Sequence, residues 1–345
     1  MEPCGAATGI GSLPHRDPEE ALELVLRCCP EVPFWPQLPR RAFKENMCVQ
    51  FSRGMPALVL DEEKERIFFR IDGGFLPQLE EFYQKVIEDD LGYFALSEDY
   101  AGGFRPFRES LRTKAKVPYV KGCVTGPITF GLTITDEDRK PSLYHPELFD
   151  AITKTIAAKA RWQIRELAPF CGRVIIFIDE PYMSSVGSAL VSLKKEEVVE
   201  KLNEVIDTIH GEGGLAGIHC CANTDWAILL STSIDILSFD AYGYAKNLLL
   251  YTKVLRGFIE RGGALAWGIA PSSREVEDED LESLWEKLMV SWRRLEEAGW
   301  TRRELLEHSL ITPSCGMGTL TPELSEKILR LTDSLSKRAR GDEFQ

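Results

Sequence analysis

The chain has 345 residues, of which 44% are hydrophobic and 28% charged, and its formal net charge at pH 7 is −13. An acidic chain without a basic cluster is a poor candidate for binding nucleic acid or an anionic membrane surface. Its longest apolar runs fall far short of the ~20 residues that a membrane-spanning helix needs. The first residues lack the features of a secretory signal, and nine cysteines without a CxxC pair are not typical of a disulfide framework. We therefore expect a cytoplasmic protein that binds neither nucleic acid nor membrane.

Short apolar runs alternate with long amphipathic segments, which predicts parallel strands separated by helices. In chain order, the predicted strands are 6–11, 33–37, 118–124, 173–179, 214–219, 234–239, 264–269 and 309–312. The predicted helices are 17–29, 145–168, 194–211, 245–261, 277–298 and 322–338. This order predicts an α/β protein of the (β/α)8 TIM-barrel type, and a doubly wound open sheet is the alternative.

Residues 38–117 separate the second and third predicted strands and are too many for one connecting helix. Alternating apolar stretches near 57–60 and 66–71 predict a β-hairpin, and the acidic, aromatic segment 75–97 predicts helix. We interpret residues 1–345 as one barrel domain with this insertion at its rim. The insertion is either a lid or a docking surface.

Polar or turn-forming residues follow the carboxyl ends of most predicted strands, where barrel enzymes have their active sites. These residues are Gly11, Ser12, Thr125, Asp179, Glu180, His219, Cys221, Asp240 and Cys315. Each has an ordinary alternative as a turn or capping residue. Six strand ends with such residues nevertheless favour a functional site at this edge.

His219, Cys221 and Cys315 are residue types that bind zinc. Side chains i and i+2 of a strand point to the same face, so His219 and Cys221 can converge while Cys220 points away. Zinc prefers tetrahedral nitrogen and sulfur ligands, and a catalytic site keeps one position open. Asp240 is the candidate for a fourth ligand that a substrate thiolate would replace. The alternative for each cysteine is that of a small buried apolar residue.

Several motifs in the chain resemble the catalytic half of cobalamin-independent methionine synthase, across about residues 6–335. The motifs are Ile10-Gly11-Ser12-Leu13-Pro14, Thr125-Gly126-Pro127-Ile128-Thr129, Ile178-Asp179-Glu180-Pro181, His219-x-Cys221 and Pro313-Ser314-Cys315-Gly316. The resemblance implies a barrel fold, transfer of a methyl group to a thiol such as homocysteine, and Zn²⁺ held by His219, Cys221, Asp240 and Cys315. The His219 motif is also similar to that of corrinoid:thiol methyltransferases.

The resemblance implies substrate contacts as well. Ile10, Gly11 and Ser12 would lie at the carboxylate side of homocysteine, and Asp179 would bind its ammonium group. Ser12 and Asp179 are therefore the residues expected to position the acceptor for catalysis. Gln50 stands where the family has a glutamate, which is its second partner of the ammonium group.

Two further differences from the family concern the methyl donor. The tryptophan that stacks on folate corresponds to Thr133, and the histidine that donates a proton falls near Ala270. Methyl transfer from a tertiary amine needs protonation of the leaving group, whereas a methyl-corrinoid needs none. We therefore expect a methyl-corrinoid donor, carried by a corrinoid protein, more than methyl-folate. The alternatives are another thiol acceptor, such as coenzyme M, and a non-catalytic structural zinc protein.

Overall fold

The computed structural model describes residues 2–188 and 191–341. Its strands are β1 (Ala6–Ala7), β2 (Leu58–Asp61), β3 (Arg66–Phe69), β4 (Val117–Thr125), β5 (Cys171–Asp179), β6 (Leu215–Cys220), β7 (Ile236–Phe239), β8 (Ala264–Ala270) and β9 (Ser309–Pro313). Its α-helices are α1 (Pro18–Cys28), α2 (Met47–Gln50), α3 (Phe75–Ile87), α4 (Phe104–Arg112), α5 (Pro127–Thr133), α6 (Pro146–Leu167), α7 (Lys195–Gly211), α8 (Trp226–Leu230), α9 (Ala241–Leu248), α10 (Thr252–Glu260), α11 (Leu281–Glu297), α12 (Arg302–Glu307) and α13 (Pro322–Gly341). Short 3₁₀ helices span Phe43–Glu45, Ser142–Tyr144, Ala168–Phe170, Pro181–Ser185, Leu249–Tyr251 and Arg274–Asp278.

Seven of these strands form one parallel sheet in the order β1-β9-β8-β7-β6-β5-β4. Helices connect successive strands from β4 onward, which confirms the predicted parallel α/β arrangement. The interiors of the seven strands are almost entirely buried, as expected when a parallel sheet is covered on both faces. The carboxyl ends of these strands therefore meet at one edge of the sheet.

The segment predicted as a strand at 33–37 is not a regular strand. It makes only isolated parallel bridges, between Phe34 and Lys121 on β4 and between Gln37 and Ser12 beyond β1. Pro33 and Pro36 have no backbone N–H to donate to a ladder, which explains why regular pairing fails there. The sheet thus has seven regular strands, and the predicted closed barrel of eight is not confirmed.

Residues 38–117 contain an antiparallel hairpin, β2 with β3, followed by α3 and α4. Helix α3 packs against α6 through a small apolar cluster that includes Leu79, Phe82, Phe94 and Ala151. The division of the chain into a single barrel domain with a rim insertion stays a prediction.

Two helix boundaries illustrate how local sequence sets the fold. Asp17 caps α1 by accepting hydrogen bonds from the backbone N–H groups of Glu19 and Glu20, with Pro18 at the first helical position. The predicted helix 245–261 is instead divided, because the 3₁₀ turn Leu249–Tyr251 separates α9 from α10. Across the described part of the chain, every helix is too short or too polar to cross a membrane.

Candidate metal and substrate site

A cavity of about 250 Å³ opens at the edge where the carboxyl ends of the strands meet. It is lined by the loop after β1, by residues between 37 and 47, by the end of β5, and by the residues that end or follow β6 and β9. Of the residues predicted for the site, the cavity is lined by Ile10, Ser12, Asp179, His219, Cys221 and Cys315.

The structure brings His219, Cys221 and Cys315 together. One potential ligand atom from each lies within 4.8 Å of the others. His219 is buried near the end of β6, Cys221 immediately follows that strand, and Cys315 follows β9. The set of one imidazole and two thiols matches the preference of zinc for nitrogen and sulfur ligands.

The imidazole of His219 is oriented as a metal ligand would be. Its Nδ1 lies 2.9 Å from the hydroxyl of Ser238 on β7, which fixes the ring. Its Nε2 is buried and has no hydrogen-bond partner among the described residues. A buried polar atom without a partner costs about 1–3 kcal/mol, so a ligand for Nε2 is physically favoured. A metal-binding histidine commonly has its other ring nitrogen held in this manner.

The two thiols of the group are joined by a hydrogen bond. The hydrogen bond between Cys315 and Cys221, assisted by His219, lowers the pKa of Cys221 to about 4 against the opposing effect of burial. The same hydrogen bond, together with burial, raises the pKa of Cys315. The pair therefore holds one thiolate readily, and the thiolate is the form of cysteine that binds metal. Cys220 is separate from the group, and burial raises its pKa to about 12.

The structure does not bring Asp240, the expected fourth ligand, into this group. Asp240 is the N-cap of α9, and its carboxylate accepts a hydrogen bond of 2.8 Å from the backbone N–H of Gly243. Because β7 ends at Phe239 and α9 begins at Ala241, this capping position competes for the carboxylate. The group therefore comprises three protein ligands beside a cavity.

Asp179, at the end of β5, presents a buried carboxylate to the cavity. It is only 7% exposed, and its Oδ1 has no hydrogen-bond partner within the described chain. Burial raises the pKa of Asp179 to about 6, although His219 and Lys121 counteract this effect. A carboxylate in this state favours a cationic partner, such as an ammonium group.

The residues after β1 form one wall of the cavity. The carbonyl of Ile10 accepts a hydrogen bond of 2.5 Å from the buried ammonium group of Lys121. Ser12 Oγ accepts a hydrogen bond of 3.2 Å from the N–H of Gly318, which ties this wall to the loop that carries Cys315. Gly11 lies between Ile10 and Ser12 but is not part of the cavity lining.

Gln50, predicted to contact substrate, lies behind the cavity wall. It is fully buried and does not line the cavity, and it accepts a hydrogen bond from Gln37, which does. Sequence reasoning did not single out Gln37, although it is the polar residue that ends the predicted strand 33–37. It also did not single out Lys121, where a lysine within a buried strand was the available signal.

A second carboxylate on the cavity wall, that of Glu45, was also not anticipated. Glu45 is buried and pairs with Arg41, and it accepts a hydrogen bond of 3.3 Å from the N–H of Leu38. Burial raises the pKa of Glu45, although the pairing with Arg41 opposes this effect. Because Arg41 balances Glu45, Asp179 is the carboxylate of the cavity wall whose Oδ1 lacks a partner among the described residues.

A parallel sheet with helices between its strands and a His-Cys-Cys group at the carboxyl edge define an α/β protein with a candidate metal site. The sequence matches no family model and no curated protein. Among solved structures, the chain is similar to a B12-independent methionine synthase from Shewanella sp. W3-18-1, solved in complex with selenomethionine. The TM-score is 0.58 at 14% sequence identity, over 100% of this chain and 99% of that chain. The two proteins therefore share a fold.

Proposed function

We propose that the protein is a zinc-dependent S-methyltransferase that methylates a thiol, with homocysteine as acceptor and methionine as product. The observation that carries this proposal is the convergence of His219, Cys221 and Cys315 on a cavity that also contains the carboxylate of Asp179. The fold shared with a methionine synthase supports it.

Each residue of the site has a role in this proposal. Zinc held by His219, Cys221 and Cys315 would supply Lewis acidity that keeps the acceptor sulfur deprotonated and oriented. Asp179 binds the ammonium group of the acceptor, and Ser12 contributes to the wall against which the amino acid lies. Holding the acceptor at both ends limits its motion, which favours in-line displacement at the methyl carbon.

The carboxylate of Asp179 favours homocysteine over a thiol without an amino group, such as coenzyme M. Asp179 lines the cavity, and its Oδ1 has no hydrogen-bond partner among the described residues. The ammonium group of an amino acid would be attracted to this carboxylate, and coenzyme M has no such group. A purely structural zinc site is also disfavoured, because such sites are closed by four protein ligands.

We further propose a methyl-corrinoid donor, presented by a corrinoid protein, in preference to methyl-folate. Among the described residues lining the cavity, there is no phenylalanine, tyrosine or tryptophan on which a pteridine ring could stack. Thr133 and Ala270, at the positions of the family's tryptophan and histidine, supply neither a ring nor an acid. The similar methionine synthase is described as B12-independent, so the two donors must be compared directly.

The test uses zinc-loaded protein, homocysteine, and either methylcobalamin or methyltetrahydrofolate carrying an isotopically labelled methyl group. Labelled methionine, measured by mass spectrometry, should form faster from methylcobalamin. Cys221→Ser should abolish the product, whereas Cys220→Ala, which changes the neighbouring thiol outside the group, should retain it. Labelled methionine from methyl-folate alone would refute the proposed donor, and no product from either would refute the proposed acceptor reaction.

A further inference from the structure

We propose that Ser272 is a positioning residue for Cys315, because its hydroxyl holds the stretch of backbone from which that thiol projects. Ser272 does not line the cavity, so its effect on a bound metal ion passes through Cys315. This inference deepens the proposed function and rests on it, since Cys315 is one of the three residues that would hold zinc.

Cys315 is the member of the metal group that most needs such support. His219 lies within β6 and pairs with β5 on one side and β7 on the other, and Cys221 immediately follows that strand. Cys315 instead lies beyond the end of β9, in the loop that leads to α13. Because Asp240 caps a helix and does not join the group, loss of Cys315 would leave only two protein ligands.

The hydroxyl of Ser272 binds both backbone polar groups of Cys315. It donates to the carbonyl of Cys315 at 2.7 Å and accepts from the N–H of the same residue at 3.0 Å. A serine hydroxyl has one proton and two lone pairs, so both hydrogen bonds can form at once. Bonds to the peptide groups on either side of Cys315 fix the direction of its Cα–Cβ bond and therefore the direction of its thiol.

The end of β8 brings Ser272 to this place. The pairing of β8 with β9 shifts register between Gly268 and Ala270, and a Cβ on Gly268 would lie 2.8 Å from Cα of Ser314. The two chains therefore approach closely where the strands end. The N–H of Ser314 donates to the carbonyl of Ala270 at 2.8 Å, and the N–H of Ser272 donates to Oγ of Ser314 at 2.9 Å. Hydrogen bonds in both directions thus join the turn after β8 to the start of the Cys315 loop.

The far end of the same loop is held by other residues. The Oγ of Ser12 accepts a hydrogen bond of 3.2 Å from the N–H of Gly318. The guanidinium group of Arg40 donates to the carbonyls of Gly318 and Thr319, at 3.1 and 2.6 Å. Removing the hydroxyl at the near end should therefore loosen Cys315 without releasing the rest of the loop.

The size of the effect follows from the exposure of Cys315. A group that binds behind a metal ligand and orients it typically changes metal affinity about 10- to 100-fold. Cys315 is partly exposed, so water can replace some of the hydrogen bonds that Ser272 makes. We therefore expect a loss near the lower end of that range.

The experiment measures zinc affinity by competition with a chelator. It also measures the initial rate at which iodoacetamide alkylates each cysteine in saturating zinc, resolved by peptide mass spectrometry. Ser272→Ala should weaken zinc binding about tenfold and speed alkylation of Cys315 by about the same factor, while Cys221 changes less than about twofold. Ser272→Thr keeps the hydroxyl and should restore both quantities towards the wild type, and a threonine variant no better than alanine would contradict the role of the hydroxyl.

The matched control is Ser273→Ala at the adjacent position. Ser273 caps the 3₁₀ helix Arg274–Asp278, and both hydrogen bonds of its Oγ are made with Glu275. Its loss should lower thermal stability while leaving zinc affinity and both alkylation rates unchanged. Equal acceleration at Cys221 and Cys315 in Ser272→Ala, or no change in rates and affinity, would overturn this inference alone. If neither cysteine of the wild-type protein is protected by zinc, the proposed function fails and this inference fails with it.

Discussion

Replacing Ser238 by alanine tests whether the His219 imidazole is oriented for a metal ion. The Oγ of Ser238 lies 2.9 Å from Nδ1 of His219, and both residues are buried. Water cannot readily replace the lost hydroxyl there, so one ring nitrogen loses its partner and the ring loses its orientation. Removing such an outer partner typically weakens metal binding about 10- to 100-fold, or about 1.4–2.8 kcal/mol. The usual cost of a buried polar atom without a partner, about 1–3 kcal/mol, covers the same range.

The assay for this change is competition for zinc between the protein and a fluorescent chelator at pH 7. Ser309→Ala is the matched control, because Ser309 is also buried in a parallel strand and accepts a hydrogen bond of 2.9 Å from Trp267, away from the site. It should reduce stability while leaving zinc affinity unchanged. Wild-type zinc affinity in Ser238→Ala, or an equal loss in Ser309→Ala, would refute the reasoning.

Three further predictions concern Asp240, Lys159 and Gly126. Asp240→Ala should leave zinc affinity within about twofold but lower the free energy of unfolding by about 1 kcal/mol in urea, because it removes a helix cap; a large loss of zinc would reinstate Asp240 as a ligand. Burial lowers the pKa of Lys159 to about 7. Between pH 7 and 10.5, the unfolded chain therefore binds more protons at Lys159 than the folded protein does. The contribution of Lys159 to the free energy of unfolding rises with pH across that window. In urea titrations, the free energy of unfolding of the wild type should rise between pH 7 and pH 9 by about 1–2 kcal/mol more than that of Lys159→Met. An equal rise in both proteins would contradict this prediction. Gly126→Ala should destabilise by about 1–3 kcal/mol because its Cβ would overlap the buried carboxylate of Glu180, whereas Gly257→Ala, with open space around it in α10, should not.

The regular parts of the sheet could be predicted because their signals are local. The strand predicted at 173–179 is β5, Cys171–Asp179, and the one predicted at 118–124 is β4, Val117–Thr125. Both are runs of apolar residues that suit a buried parallel strand. The segment 33–37 has a similar apolar composition, but its two prolines remove the donors that regular pairing requires.

The part of the site that could be predicted from local pattern is the part set by the alternation of side-chain direction along a single strand. The spacing of His219 and Cys221 places both side chains on one face, and Cys220 is indeed outside their group. The approach of Cys315 depends on strand order, because β7 and β8 separate β6 from β9. Local periodicity carries no information about that distance, so the resemblance supplied the prediction. Asp240 illustrates a second limit of the sequence. An aspartate at the end of a strand can be either a helix cap or a metal ligand, and the residue type alone does not distinguish the two.

The packing beneath the site determines the side from which reactants can arrive. Phe177 and Gly217 pair in the sheet two residues before Asp179 and His219, so they face the same interior one layer lower. The ring of Phe177 fills the space that a Cβ on Gly217 would need, and the ammonium group of Lys121 lies 4.4 Å from the ring centroid. Phe177 and Lys121 are both buried, so the described side chains of this layer obstruct an approach from below. In the proposed function, the acceptor and the methyl donor would then share the mouth of the cavity. A methyl group presented from outside that mouth is compatible with the proposed donor, a corrinoid held by a second protein.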